Sequence, residues 1–349
     1  MQAAAFAIPG DIDQKTGGYI YEKSLMAALR AQGRTVAHIE LPASFPDPSP
    51  ADMAATVARL AALPPDQPLI LDGLVYGAID TAGLATVAAP LVAMIHHPLG
   101  LETGLAPARA RELLHREAAN LALAAHVVVP SPHTARILAA DFGVDPAIIH
   151  IALPGFAPPD PRRAPLAPPL ILSVGLIAAR KGHDVLIDAL SRLTDLPWQA
   201  QIVGGTHDAQ VMADLTAQTA RLKLTDRLTF AGRMDEAELA TLYTRASLFA
   251  LATRYEGYGM VFGEALLHGL PIVTCAAGAV PETVPQGTGI LVPVDDAPAF
   301  ARALRHLLSD HAARNAMAAA STAAGHALPR WEDTAAVMGA VLDSLATTG

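Results

Sequence analysis

Cysteine is almost absent. Cys275 is the single one in 349 residues, which excludes an intrachain disulfide framework and a cysteine-rich metal site. Charges or prolines interrupt every apolar stretch before 18 residues accumulate, so no membrane-spanning helix is expected. The opening MQAAAFAIPGDIDQKTGG lacks a basic flank ahead of a long apolar segment, and no signal peptide is expected either. Basic charge is also scarce: 24 Lys+Arg stand against 33 Asp+Glu, a formal net charge of −9. Nucleic acid is therefore not an expected partner, because phosphate binding needs a basic surface. Residues 1–156 carry 9 basic against 14 acidic residues, and the remainder 15 against 19. Neither part offers a docking surface for anionic lipid, and peripheral membrane contact is not expected. A Gly-x-Gly-x-x-Gly fingerprint after the first apolar strand is missing as well, which weakens a nicotinamide-dependent oxidoreductase. A cytoplasmic protein is the expectation these absences leave.

What is present is apolar and periodic. The chain is 52% hydrophobic, enough to fill two cores at about 150 residues per domain. AAAFAI, TVAHIEL, PLILDGL, PLVAMIHH and HVVVPS read as short strands. Between them, YEKSLMAALRAQG, residues 51–62, residues 106–125 and HTARILAADFG show helical spacing, two of these ending in glycine. The segment APPDPRRAPLAPP at 157–169 can neither continue a helix nor pair in a ladder, and reads as a stiff linker. A second alternating series follows, from LILSVG through WQAQIVGG, RLTFAG, SLFALAT and PIVTCAAG to GILVPV. Strands alternating with helices imply parallel sheets covered on both faces. The expected architecture is α/β, with two doubly wound domains: 1–156 and 170–327, followed by a terminal segment 328–349.

In such folds ligands sit at the carboxyl ends of strands, so the loops there carry the candidate chemistry. Glu256-Gly257-Tyr258-Gly259-Met260-Val261-Phe262-Gly263-Glu264 joins a strand to a helix. Its glycines admit close backbone approach, and the helix start offers N–H groups to an anion. Glu264 suits vicinal hydroxyls such as those of a ribose, and Glu256 another hydroxylated ring; a glycine turn with an acid at a helix start is the plain alternative. Arg180-Lys181-Gly182-His183 forms another strand-to-helix loop. Lys181 is one of only four lysines, a compact charge that either reaches a phosphate or is a solvated surface residue. Gly17 and Gly18 precede the first helix, as phosphate-contacting backbone or as a tight turn. His96 and His97 end an apolar strand, where a histidine either meets a substrate hydroxyl or caps the core. No third histidine or carboxylate stands at metal-ligand spacing from them, so no metal is expected. Asp11-Ile12-Asp13 has the Asp-x-Asp form of manganese-dependent sugar transferases, but it lies in an acidic turn and is discounted.

Taken together, GGYIYEKSLMAALRAQG, HH at 96–97, SPHTARIL, LPGF at 153–156, SVGLIAARKG, FAGRMDEAELATLY, AAGAVPETV and GILVPVDD resemble glycosyltransferase family 4. EGYGMVFGEALLHGLPIV fits that family's Glu-x7-Glu motif, with Glu256 and Glu264 as its acids. The resemblance covers nearly the whole chain and is densest over 170–295. It implies a GT-B fold, with two Rossmann-like domains facing a cleft, an acceptor-binding one first and a nucleotide-sugar-binding one second. It implies a retaining, metal-independent hexosyltransferase using a nucleotide-diphosphate sugar, a UDP-sugar ahead of a GDP-sugar, with no cofactor. Glu264 would hold the donor ribose, and Glu256 the hydroxyls of the transferred sugar. The backbone of Gly257, Tyr258, Gly259, Met260 and Val261 would lie near sugar and diphosphate. Lys181 would neutralise the leaving diphosphate, with Gly17 and Gly18 approaching it, and Gly232 and Arg233 would meet the base. His96 matches the family's active-site histidine, with His97 as the second choice. Trp331 would open a terminal helix that crosses back to the first domain.

One position departs from the family. The arginine that usually follows Val-Gly is Leu176 here, so half of the diphosphate clamp is missing from its usual place, with Arg180 as a substitute. A catalytically weak or non-catalytic nucleotide-sugar-binding protein, or a sugar-nucleotide epimerase, is the alternative. The acceptor, a small molecule or glycan and more in keeping with a soluble one, is left open, as are the sugar, the base and the oligomeric state.

Overall fold

The computed structural model describes residues 3–102, 104–158 and 163–346. The chain divides into two compact units: Phe156 to Leu328 forms one, and everything before it, rejoined by the segment from Pro329 onward, forms the other. Residues 159–162 of the expected linker lie outside the described residues. The part from Arg163 onward is not a free spacer: the amides of Ala164 and Leu166 donate to Thr244 and Arg245 at 2.9 and 3.0 Å.

The first unit runs β1 (Ala4–Pro9), α1 (Gly17–Ala31), β2 (Val36–Leu41), α2 (Pro50–Ala61), β3 (Leu69–Asp72), α3 (Gly73–Tyr76), α4 (Thr81–Leu84), β4 (Leu91–Met94), α5 (Pro107–Leu121), β5 (His126–Val129), α6 (Pro132–Asp141) and β6 (Ile149–Ile151). Its six strands are all parallel, in the order β2-β1-β3-β4-β5-β6. β1, β3 and β4 are buried along their whole length, which is why they read as unbroken apolar runs rather than alternating ones. The strand expected over PLILDGL stops early. The Asp72 side chain accepts from the Leu74 amide at 2.8 Å and caps α3, a competition between side chain and ladder that aspartate commonly wins.

The second unit contains β7 (Leu170–Val174), α7 (His183–Ser191), β8 (Gln199–Val203), α8 (Ala209–Arg221), β9 (Leu228–Gly232), α9 (Glu236–Arg245), β10 (Leu248–Leu251), α10 (Met260–Leu267), β11 (Ile272–Cys275), α11 (Val280–Thr283), β12 (Gly289–Val292), α12 (Ala297–Ser309) and α13 (His311–His326). Its parallel sheet has the order β12-β11-β10-β7-β8-β9, the doubly wound arrangement in which the chain reverses direction between β7 and β10. In the first sheet the reversal falls between β1 and β3. These switch points open a crevice outside the strands' carboxyl ends, and that is where the motif residues gather.

α12 and α13 extend the series beyond the segments anticipated from the sequence; α12 buries Phe300, Leu304 and Leu307 on one face, and α13 runs through an alanine-rich stretch. The last helix, α14 (Trp331–Ala346), belongs to the first unit. Trp331 stands edge-on to Tyr21, 5.5 Å between ring centres, and the Thr334 hydroxyl donates to the Leu153 carbonyl at 2.7 Å. A Cβ on Gly155 would lie 2.2 Å from the Trp331 nitrogen, so only glycine lets the two segments meet.

Candidate functional site

In the second unit the chemistry centres on Glu256, 5% exposed in the loop after β10. The Lys181 ammonium donates to its Oε1 at 2.6 Å, and the Thr253 hydroxyl donates to the same oxygen at 2.9 Å. The Arg180 guanidinium stands 3.7 Å from Oε2. Burial pushes the Glu256 carboxyl up, but the charges of Lys181 and Arg180, with the hydrogen bonds of Lys181 and Thr253, outweigh it and hold the group below the usual carboxylate range. The result is an ionised acid fixed beside two cations.

Backbone geometry makes this cluster possible. Gly182 has φ +62°, and a Cβ there would lie 1.8 Å from the Ala252 carbonyl oxygen. Only glycine lets the Lys181 turn close against the end of β10. Arg254 locks the same junction, forking onto both Asp184 oxygens at 3.0 and 2.7 Å and reaching Asp295 at 2.8 Å. Burial pushes the His183 imidazole down to about 4, so it is neutral, and a ring nitrogen bonds the Leu176 carbonyl at 3.2 Å. Leu176 thus contributes backbone here, and Arg180 is the guanidinium placed beside Glu256.

Gly257 and Tyr258 form the turn into α10, and the Tyr258 ring lies tilted over Phe156 at 6.5 Å. Burial pushes the Tyr258 hydroxyl up to about 12. Gly259, at φ +86°, is the N-cap of α10 and no side chain caps the helix, leaving the start at Met260 and Val261 to serve an anion. Glu264 sits one turn in. Tyr243 donates to its Oε2 at 2.7 Å, and burial, the larger influence, raises its carboxyl while that bond lowers it. Gly232 ends β9 at φ +68°, and the Arg233 guanidinium lies over Gly205, within 3.2 Å of where a Cβ would stand. Thr253 and Tyr243 were not singled out from the sequence. One lies in the loop after β10 and the other in the last turn of α9, positions whose roles depend on residues distant in the chain.

The first unit brings His96, Gly18 and two further residues together. His96 Nε2 lies 3.4 Å from Glu22 Oε1, and a Cβ on Gly18 would stand 3.5 Å from the His96 ring. Gly17 opens α1 beside Gly18, with space around it. Tyr21 meets the His96 ring edge-on at 5.0 Å and is anchored through its hydroxyl to the Ala152 carbonyl at 2.8 Å. Glu22 on α1, Asp72 at the end of β3 and His96 after β4 place one donor atom each within 4.8 Å of one another. Burial pushes the Glu22 carboxyl up to about 7 and holds Asp72 well above the ordinary carboxylate value, while it lowers the His96 imidazole against the pull of Asp72. His97 follows, partly buried. Asp11 and Asp13 form a local turn, the Asp13 amide donating to Asp11 at 2.8 Å, with Asp13 paired to Lys23. Neither Glu22 nor Asp72 was anticipated, because chain spacing carries no trace of a trio drawn from three elements.

Residues 168–310 match the family of glycosyl transferases group 1. The chain is 30% identical over 215 residues to the D-inositol 3-phosphate glycosyltransferase of Xylanimonas cellulosilytica, covering 56% of this chain and 51% of that one. It is 28% identical over 182 residues to the mannosylfructose-phosphate synthase of Agrobacterium fabrum, covering 46% and 40%. The chain thus spans about half the length of the curated relatives it matches. Among solved structures, a sucrose-phosphate synthase from Thermosynechococcus elongatus superposes over 100% of both chains with a TM-score of 0.80 at 23% identity. HepE of Anabaena, solved with UDP and glucose, covers 99% of this chain and is itself covered completely, with a TM-score of 0.76 at 18% identity. The chain therefore carries a glycosyl transferases group 1 domain within a GT-B fold.

Proposed function

We propose that the protein is a retaining glycosyltransferase that moves a hexosyl group from a nucleotide-diphosphate sugar, a UDP-sugar ahead of a GDP-sugar, to a small soluble acceptor. The observation that carries this reading is the Lys181–Glu256–Arg180 cluster beside an uncapped helix start in a group 1 domain. On this reading the Lys181 ammonium and the Arg180 guanidinium take up the negative charge of the leaving diphosphate, with the N–H groups at Met260 and Val261 adding to them. Arg180 thereby supplies the guanidinium that Leu176 lacks. Glu256 orients both cations and accepts from hydroxyls of the transferred sugar. Glu264, with one oxygen occupied by Tyr243, offers the other to the ribose. Gly232 and the Arg233 backbone meet the base. Leaving-group stabilisation then comes from side chains and backbone, without a metal at the diphosphate. The first unit serves the acceptor, with His96 facing it. HepE, solved with UDP and glucose, supports the choice of UDP.

The test is a panel of UDP-, GDP- and ADP-sugars read by thermal shift, followed by turnover of any donor that binds. A binding donor raises Tm by mass action. Lys181→Ala should lower transfer by about 2 kcal/mol in barrier or more, as for the loss of one transition-state charge partner. Unchanged turnover in that variant would remove the diphosphate assignment. Leu176 favours a second reading, a nucleotide-sugar-binding protein without transfer, which would bind a donor yet neither hydrolyse nor transfer it.

A further inference from the structure

The first unit contains a second constellation that the transfer reading does not use in full. Glu22 is 1% and Asp72 4% exposed, and together with His96 they bring three donor atoms within 4.8 Å of one another. Paired buried carboxylates are normally balanced by a cation. Here Glu22 and Asp72 share a side-chain hydrogen bond, and the charges acting on Asp72 are those of Glu22 and His96, with no lysine or arginine among them. Glu22 Oε1 is buried, points at His96 Nε2 from 3.4 Å, and has no hydrogen-bond partner. His96 Nε2 is likewise buried without a hydrogen bond. Asp72 caps α3 through Oδ1 and places a carboxylate oxygen in the cluster. These are not solvated surface acids that happen to be neighbours. Glu22 is held by α1, Asp72 by the capped end of β3, and His96 by the end of β4 and the edge of Tyr21.

We propose that Glu22, Asp72 and His96 form a divalent metal site in the first unit, distinct from the diphosphate-binding cluster of the second. Two carboxylates and one imidazole suit Zn2+ or Mn2+ better than Mg2+, which favours all-oxygen surroundings with retained water. Two negative charges match the ion's two positive ones, so the buried site becomes neutral. Three protein ligands also leave coordination positions vacant. His96 is the least buried of the three, its side chain 24% exposed, so those positions lie on its side. Chain spacing led to the expectation of no metal, and spacing cannot register donors from α1, β3 and β4 meeting in space.

The test needs no donor sugar, so its failure is separate from failure of the transferase reading. The whole protein is stripped with a chelator, and ZnCl2, MnCl2 and MgCl2 are titrated in turn by calorimetry and by thermal shift. One ion per chain is expected, in the order Zn2+ over Mn2+ over Mg2+, with Tm raised by roughly 5 °C or more at saturating ion. Glu22→Gln and Asp72→Asn should each weaken binding beyond the roughly 10–100-fold typical of losing a ligand's outer partner. The control is His126→Ala/His150→Ala, which removes a second histidine pair in contact at 3.0 Å and should leave binding unchanged. Should either carboxylate variant unfold, the visible spectrum of Co2+ bound to the unaltered protein reports one imidazole among oxygen ligands. Absence of saturable binding, binding indifferent to Glu22→Gln, or binding lost with the His126/His150 pair would each overturn the site.

Discussion

Glu22 and Glu256 occupy comparable places, each buried beside the carboxyl ends of a parallel sheet, yet their carboxyls move in opposite directions. Glu256 is held below the carboxylate range although burial alone would raise it. Glu22 is pushed up to about 7. The difference lies in their neighbours. Lys181 and Arg180 face Glu256, whereas Asp72 and His96 face Glu22. Burial sets the cost of a charge, and the sign of the nearest partner decides whether the charge exists. The second unit has an electrostatically complete pair that can respond to an anion. The first has an incomplete one that asks for a cation.

The most damaging way to disturb this contrast is to make the second unit resemble the first. Lys181→Ala leaves Glu256 buried with Arg180 alone nearby, and should cost about 3 kcal/mol of stability, as for other orphaned buried charges. The companion Lys181→Met/Glu256→Gln removes both charges and should recover most of that loss. Urea unfolding of the three proteins decides it: a loss below about 1 kcal/mol in the single variant would mean that solvent already screens the pair. Slightly smaller is the effect of Gly182→Ala, about 2–3 kcal/mol from a left-handed residue whose Cβ has no room beneath Ala252. That variant should lose donor-induced thermal stabilisation along with fold stability, because Lys181 rides on the same turn.

The contrast also has a pH signature. In the first unit Glu117, buried on α5, accepts from the Leu99 amide at 2.9 Å, and burial pushes its carboxyl up to about 8. A folded-state value above the unfolded 4.5 means the folded chain holds a proton that the unfolded chain has released. Its stabilising contribution is complete below about pH 4.5 and is lost as pH rises to about 8. Glu256 behaves in the opposite sense, its contribution present above the unfolded value and lost on acidification. Glu117→Gln keeps a carbonyl for Leu99 and removes the titration. Its advantage over the unaltered protein should therefore grow by roughly 1 kcal/mol or more between about pH 5 and about pH 8. Parallel urea midpoints across that range would refute the assignment.

The two units differ too in how much of them the sequence disclosed. The strands β1, β3, β4, β7, β10 and β11 were legible because fully buried strands must be unbroken apolar runs, and β2, β5, β8, β9 and β12 as short apolar stretches between helical segments. β6, three residues long, gave no such signal. Gly182 and Lys181 were legible as a loop motif, since a left-handed glycine and a neighbouring charge are adjacent in the chain. Glu256 was legible for the same reason, within one strand-to-helix turn. The Glu22–Asp72–His96 trio was not, because its members come from three elements and only the parallel register of β1, β3 and β4 brings them together. Glu22 in particular reads as one polar residue on an amphipathic helix, and its burial follows from packing against the switch point rather than from its neighbours in sequence.

The smallest effect belongs to the acidic residues at the edge of the first unit. Asp11 and Asp13 share the Asp-x-Asp spacing of metal-dependent transferases, but Asp13 is bonded back to Asp11 through its own amide and pairs with Lys23 in solvent. Both side chains of that ion pair are more than half exposed, at 58% and 65%. An exposed pair offers little net energy once ordering and screening are counted, so Asp13→Asn should change stability by no more than about 0.5 kcal/mol. It should also leave Zn2+ binding untouched, whereas Glu22→Gln should weaken it by more than roughly 10–100-fold. A large drop in either measurement would move the metal from the buried trio to the exposed turn. The contrast between the two units would then rest on Glu256 and Glu117 alone. Insensitivity ties it instead to the place where, among the described residues of the first unit, two buried acids meet without a cation.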